Sequence, residues 1–231
     1  MKIDNTNLVA KIEECKREVA FGEMFKGTML YRMLTEYFAS GCKKGIAAIQ
    51  REIKEHPEYG MIYKSGTKSK GETFGPQEGF FFNPDVFRCG SMFVYYNNQF
   101  DFDEDLARAK RFLAMNEKEM AMMKSYEEFV NSKLSAISTM EVEPEDDDII
   151  VKGKLLYAIE IKSYDINYDE EFSDYEYCSC IDAIVKRAED WLSCNRTVII
   201  SKARIVNGYL TASDTIVEIP NKKTYRKLYM D

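Results

Sequence analysis

Apolar side chains recur at spacings of three and four along the first part of the chain. Leu8, Ile12, Cys15 and Val19 fall near one face over residues 6–20, with Asn5 or Thr6 at the capping position, which predicts an amphipathic helix. Met29, Leu30, Met33, Leu34, Tyr37 and Phe38 repeat the stripe after Gly27-Thr28, and Ser40-Gly41 stops it. Ile46, Ile49 and Ile53 predict a third helix over about 43–55, ending before Pro57. Short loops join these segments, so 1–56 reads as a helical N-terminal unit.

The pattern then changes. Over 57–102, glycines punctuate aromatic runs at Phe80–Phe82 and Met92–Tyr96, which suits short strands, with 64–79 a polar loop. Residues 103–231 read as an α/β domain with acidic loops and a basic tail. It opens with a long helix over about 103–134, capped by Asp101 or Asp103. Strands are expected at 136–142, 148–152 and 154–163. A helix at 174–193 follows, capped by Ser173, with Tyr177, Cys178, Ile181, Ile184, Trp191 and Leu192 turned inward. A strand over 196–206, an Asn207-Gly208 hairpin turn and a last strand over 209–219 complete the pattern. The class is α+β, with the helical unit followed by a mixed sheet, a long helix and one crossing helix. The C-terminal part runs α-β-β-β-α-β.

Composition adds limits. At 45% hydrophobic and 13% aromatic residues, the chain can bury a core without metal or disulfide staples. Its six cysteines show no C-x-x-C pair, no apolar run follows the first charges, and no window approaches the roughly 20 apolar residues that span a bilayer. A cytoplasmic protein with free thiols and no membrane partner is the expectation, the host cytoplasm or a virion being the place if the source is viral. The single histidine, His56, excludes multi-histidine zinc sites. The net charge of −7 is uneven, because residues 141–148 and 165–176 each carry six acids and no base. Setting those twelve acids aside leaves the remainder at +5.

Candidate chemistry concentrates at 147–163. Lys152-Gly153 suits a two-residue turn pairing Val151 with Lys154, and counting outward sets Asp147 opposite Ala158, on one face with Glu160 and Lys162. A three-residue turn would bring Asp148 to that face instead. Two convergent carboxylates suit Mg²⁺, which lowers the pKa of bound water and neutralises charge on a phosphoryl group, while a lysine beside them orients the attacking water. The bland alternative makes Glu160 and Lys162 the wet face of a half-buried strand.

Asp147/Asp148, the tight turn and Glu160-Ile161-Lys162 together resemble the PD-(D/E)XK, or restriction-endonuclease-like, nucleases over about 100 C-terminal residues. Those enzymes share an α-β-β-β-α-β core with the aspartate on the second strand and E-x-K on the third. The resemblance implies a metal-dependent nuclease acting on nucleic acid, with Asp147 or Asp148 and Glu160 as ligands of Mg²⁺, and Glu160 and Lys162 as the catalytic pair. Glu127 or Glu128 would add a helix-borne acid.

Four further features bear on function. Lys222, Lys223, Arg226 and Lys227, interleaved with Tyr225, suit contact with nucleic acid, or form a solvated terminus. Lys64, Lys68 and Lys70 could grip phosphate. Cys178-x-Cys180 stands where a helix start would stabilise a thiolate, though packing is the commoner use. The acidic run 141–148 could bind Ca²⁺ but lacks the EF-hand spacing. A different class stays open beside the enzyme, a non-catalytic structural or interaction protein, such as a viral assembly subunit or an inhibitor. The chain's fifteen tyrosines and fourteen phenylalanines are the residue types that dominate protein interfaces.

Overall fold

In the computed structural model, which describes residues 1–40, 46–64, 78–82, 100–165 and 170–230, the first apolar stripe becomes helix α1 (Thr6–Lys26). It runs past residue 20 because Phe21, Gly22 and Phe25 continue the inward face. Thr28 ends the following turn: its hydroxyl donates to the Phe25 carbonyl at 2.7 Å and accepts from the Tyr31 N–H at 3.1 Å, capping α2 (Met29–Ser40). Helix α3 (Ile46–Glu55) and the antiparallel pair β1 (Gly60–Lys64) and β2 (Glu78–Phe82) follow. Residues 65–77 of the expected 64–79 loop and the aromatic run Met92–Tyr96 lie outside the described residues, while Lys64 belongs to β1 and Glu78 and Gly79 to β2 rather than to a loop.

The chain divides into two compact units, Thr6–Lys118 and Met1–Asn5 with Glu119–Asp231. In the first, Phe21, Phe25, Leu30, Leu34, Ile49 and Ile53 bury themselves with Phe102 and Leu106 from the start of α4 (Phe102–Ser138). The Phe25 ring is the hub, with centroids 5.0 Å from Phe102, 5.6 Å from Tyr59 and 5.9 Å from Phe21. At Gly22 an added Cβ would stand 2.5 Å from Leu106 Cδ1, so any larger residue there would displace the buried Leu106 side chain. Asp103 fastens the outside by accepting from Tyr31 at 2.9 Å and pairing with Lys26 at 2.8 Å.

The second unit is built on a four-stranded sheet in the order β6-β5-β7-β8, comprising β5 (Tyr157–Asp165), β6 (Glu170–Cys178), β7 (Thr197–Val206) and β8 (Tyr209–Ile219). Two short strands, β3 (Ile150–Val151) and β4 (Lys154–Leu155), precede it. Helix α5 (Ile181–Ser193) crosses from β6 to β7 and buries Ile184, Ala188 and Leu192. The α+β class, the long helix and the crossing helix are as expected. The sheet is not mixed, however: β6 and β7 run in the same direction but are separated by β5, so every hydrogen-bonded pair among the described strands is antiparallel.

Three local expectations need correction. No strand forms at 136–142, because Leu134 and Ile137 prolong the buried stripe of α4 to Ser138. Residues 174–178 belong to β6 rather than to the crossing helix, so Ser173 is a strand residue and not a cap. The basic tail is a helix, α6 (Lys222–Tyr229), capped by Asn221, whose side chain accepts from the Thr224 N–H at 2.9 Å. Tyr225 is buried with its ring 5.2 Å from Tyr126 and 5.0 Å from Phe129. Tyr126 donates to the Pro220 carbonyl at 2.9 Å, and burial pushes its phenol up to about 12. No described helix is long and apolar enough to cross a membrane.

Candidate functional site

The Lys152-Gly153 turn has φ of 52° and 78°, the left-handed pair that a two-residue hairpin requires. It sets Val151 opposite Lys154 and Ile150 opposite Leu155, the register read from the sequence. The arms then part. The Leu156 N–H donates to Ile149 O at 2.8 Å, but Ala203 of β7 is bonded to both arms, donating to Leu156 O at 3.0 Å and accepting from the Ile149 N–H at 3.4 Å. From there outward Asp148 pairs with Arg204 and Tyr157 pairs with Lys202. Asp147 is therefore not opposite Ala158.

This wedge decides where the expected site residues point. Lys202 stands opposite Tyr157, so Lys202 and Arg204 share the face of Tyr157, Ile159 and Ile161. Asp148, opposite Arg204, is on that face too. Glu160 and Lys162 alternate to the other face, where the Ser173 hydroxyl donates to Glu160 Oε1 at 2.6 Å. The structure thus brings Asp147 and Asp148 together with two cations of β7, and Glu160 together with β6. It does not bring either aspartate to Glu160 or Lys162. Among the described residues, no three of His, Cys, Asp and Glu converge where they could hold a metal ion.

What assembles instead is an ion network. The Asp148 side chain has no accessible surface and that of Lys202 only 9%. Asp148 Oδ1 accepts from Arg204 Nε at 3.0 Å, and its Oδ2 accepts from the Glu145 N–H at 2.8 Å and lies 3.0 Å from Lys202 Nζ. Arg204 also meets Glu145 and Asp214, both at 2.8 Å, and Asp147 at 3.3 Å, while Lys202 donates to the Glu143 carbonyl at 3.2 Å. Desolvation pushes the Asp148 carboxyl up, but the hydrogen bonds from Glu145, Lys202 and Arg204 outweigh it and hold the group below its ordinary range. The acidic run 141–148 is accordingly fastened to β7 by these bonds. Lys202, Arg204, Glu145 and Asp214 were missed from sequence. The available signal was two cations at period two inside a mostly apolar strand, where each must find an acid.

The network clamps the base of the β7–β8 hairpin. Beyond it β7 has no β5 partner, and the last two cross-strand pairs are Ile205 with Leu210 and Val206 with Tyr209. These four side chains are 64%, 40%, 51% and 76% exposed. The Asn207-Gly208 turn, with φ of 54° and 81°, closes the tip. Tyr177 of β6 donates to Leu210 O at 3.1 Å, and Thr211 donates to Arg204 O at 3.2 Å.

The other expected residues are dispersed. Lys222, Lys223, Arg226 and Lys227 lie on α6, with Arg226 paired to Glu119 at 3.3 Å. Glu127 accepts from the Ile3 N–H at 3.2 Å and Glu128 is exposed. Cys178 ends β6, and Cys180 is the N-cap of α5, with no side-chain capping bond. Both thiols are free, as are Cys15 and Cys194. Lys68 and Lys70 lie outside the described residues.

With Glu160 held by Ser173 and away from both aspartates, the protein and a Glu160→Ala variant are expected to give identical traces on DNA and RNA in Mg²⁺ or Mn²⁺. Cleavage that needs both the metal and Glu160 would overturn this expectation. No protein-family model, curated protein or solved structure matches the chain.

Proposed function

We propose that the protein is a non-catalytic interaction protein that grips another protein with the tip of the β7–β8 hairpin. The observation that carries this reading is the apolar tip itself, formed by Ile205, Val206, Tyr209 and Leu210, all exposed and arranged as two directly opposed pairs. The two pairs lie on opposite faces of the ribbon, and apolar side chains left exposed on both faces of one hairpin end mark a contact surface rather than ordinary surface. Tyrosine offers a large, stiff anchor with a polar end, the type that dominates binding hot spots. The clamp beneath supports the same reading: a ribbon already fixed by the Asp148–Lys202–Arg204 network loses little conformational freedom on binding.

Photocrosslinking tests it. A benzophenone amino acid in place of Tyr209 is expected to give a discrete crosslinked protein species in extracts of the source cell. Adding unlabelled protein should compete the species away, whereas a Tyr209→Asp/Leu210→Asp competitor should be roughly 30-fold weaker, the loss of one binding hot spot. A probe at exposed Val9 serves as the control. If position 209 labels no more strongly than position 9, or both competitors act equally, the reading is wrong.

A further inference from the structure

We infer that β6 is a second docking surface, which takes a basic extended segment of another protein as a fifth strand of the sheet. Strand β6 is an edge: it pairs with β5 along Glu170–Cys178, and among the described residues no strand takes its other side. On an antiparallel edge every second residue turns its N–H and C=O outward, which is a template for an incoming strand. Glu171 to Tyr175 are all exposed, so nothing described covers the stretch.

The side chains select the occupant. Phe172 and Tyr175 are 47% and 49% exposed, and alternation puts them on opposite faces, so an added strand would be walled by an aromatic ring on each side. Glu171 and Asp174 make no ion pair among the described residues, whereas Glu176 is engaged by Trp191 at 3.2 Å and Arg187 at 3.5 Å. Residues 165–176 hold six acids and no base. A second copy of β6 would set like charges opposite one another and be repelled, while an acidic strand would be rejected for the same reason. A strand bearing lysine or arginine matches both the backbone and the charge. This surface is distinct from the hairpin tip: it lies on the opposite edge strand from β8 and works by main-chain pairing rather than by apolar burial. Its exposed stretch Glu171–Tyr175 precedes Tyr177, whose hydroxyl bonds the Leu210 carbonyl, a main-chain group that side-chain substitutions at the tip retain.

The test uses the full chain and a fluorescent peptide of about ten residues alternating Lys and Val, long enough to lie along a strand. Anisotropy should report binding at about 0.15 M salt, and amide exchange should slow at residues of β6 in the complex. A Glu-Val peptide should not bind. A Lys-Pro peptide of equal charge, held in the polyproline conformation, should bind roughly tenfold more weakly or not at all. Glu171→Lys/Asp174→Lys alters only exposed, unpaired groups and should weaken the Lys-Val peptide by roughly tenfold while admitting the Glu-Val one. Tyr209→Asp/Leu210→Asp should leave Lys-Val binding unchanged, so that failure here and failure of the hairpin reading are separable. No binding of Lys-Val, equal binding of Lys-Pro, unslowed β6 amides, or binding insensitive to the charge reversal would each overturn the inference.

Discussion

Asp148→Ala is expected to destabilise the second unit by roughly 2–3 kcal/mol, read as a lower urea midpoint, because it strips a buried carboxylate from the nearly buried Lys202 and from the half-buried Arg204. The value sits at the low end for a buried pair because Glu145, Asp147 and Asp214, at the rim of the network, are themselves exposed and can hold Arg204 in part. Acid should expose the same group. The folded Asp148 carboxyl lies below its ordinary range, so on acidification the unfolded chain takes up that proton first. The stability it contributes is therefore complete above the ordinary carboxylate range and lost as pH falls through the folded value. Asp148→Asn, which cannot titrate, should flatten the acid limb of the stability curve; an unchanged slope would show that the network contributes nothing. The same variant should loosen the β7–β8 tip and speed amide exchange at Ile205 and Leu210, since their ribbon is clamped through Arg204.

Phe25→Ala is expected to cost the first unit about 3–5 kcal/mol, the range for deleting a fully buried aromatic ring. The ring touches Phe21, Tyr31, Tyr59 and Phe102, which lie in four different parts of that unit, and no neighbour can fill the void without abandoning its own contacts. Thermal unfolding followed by circular dichroism should begin many degrees earlier. The single tryptophan, Trp191, lies in the other unit, so its fluorescence separates a local loss from a global one. If Phe25→Ala melts with the wild-type midpoint, the packing described around that ring is wrong.

The helices were legible because their signal is local. The stripes of α2, α3 and α4 lie within single segments, and the period of 3.6 survives whatever they pack against. Strand β6 was not legible, for an instructive reason. Tyr177, Cys178, Ile181, Ile184 and Val185 keep helical spacing straight across a junction at which the chain is a strand on one side and a helix on the other. An edge strand exposed on both faces shows no alternation of its own to contradict that accident. The candidate site divides similarly. The Lys152-Gly153 turn and its first two pairs were readable, since left-handed φ at both positions fixes the register of a two-residue loop. The pairing of Asp148 with Arg204, 56 residues away, was not.

By itself the sequence determined the local structure in outline: which segments before the tail are helical, where two tight turns fall, and which charges cluster, while helix ends such as Lys26, Ser138 and Ile181 were set by what those segments pack against. Tertiary structure alone decided what the charges are for. β7 buries Val198, Ile200 and Ala203 completely, and Ala203 enters between the two arms of the β3–β4 hairpin, bonding to Ile149 and Leu156. That one insertion hands Asp148 to Lys202 and Arg204 and leaves Glu160 on the far face, because side chains two strands apart are joined or separated by pleat and register, which only long-range pairing sets.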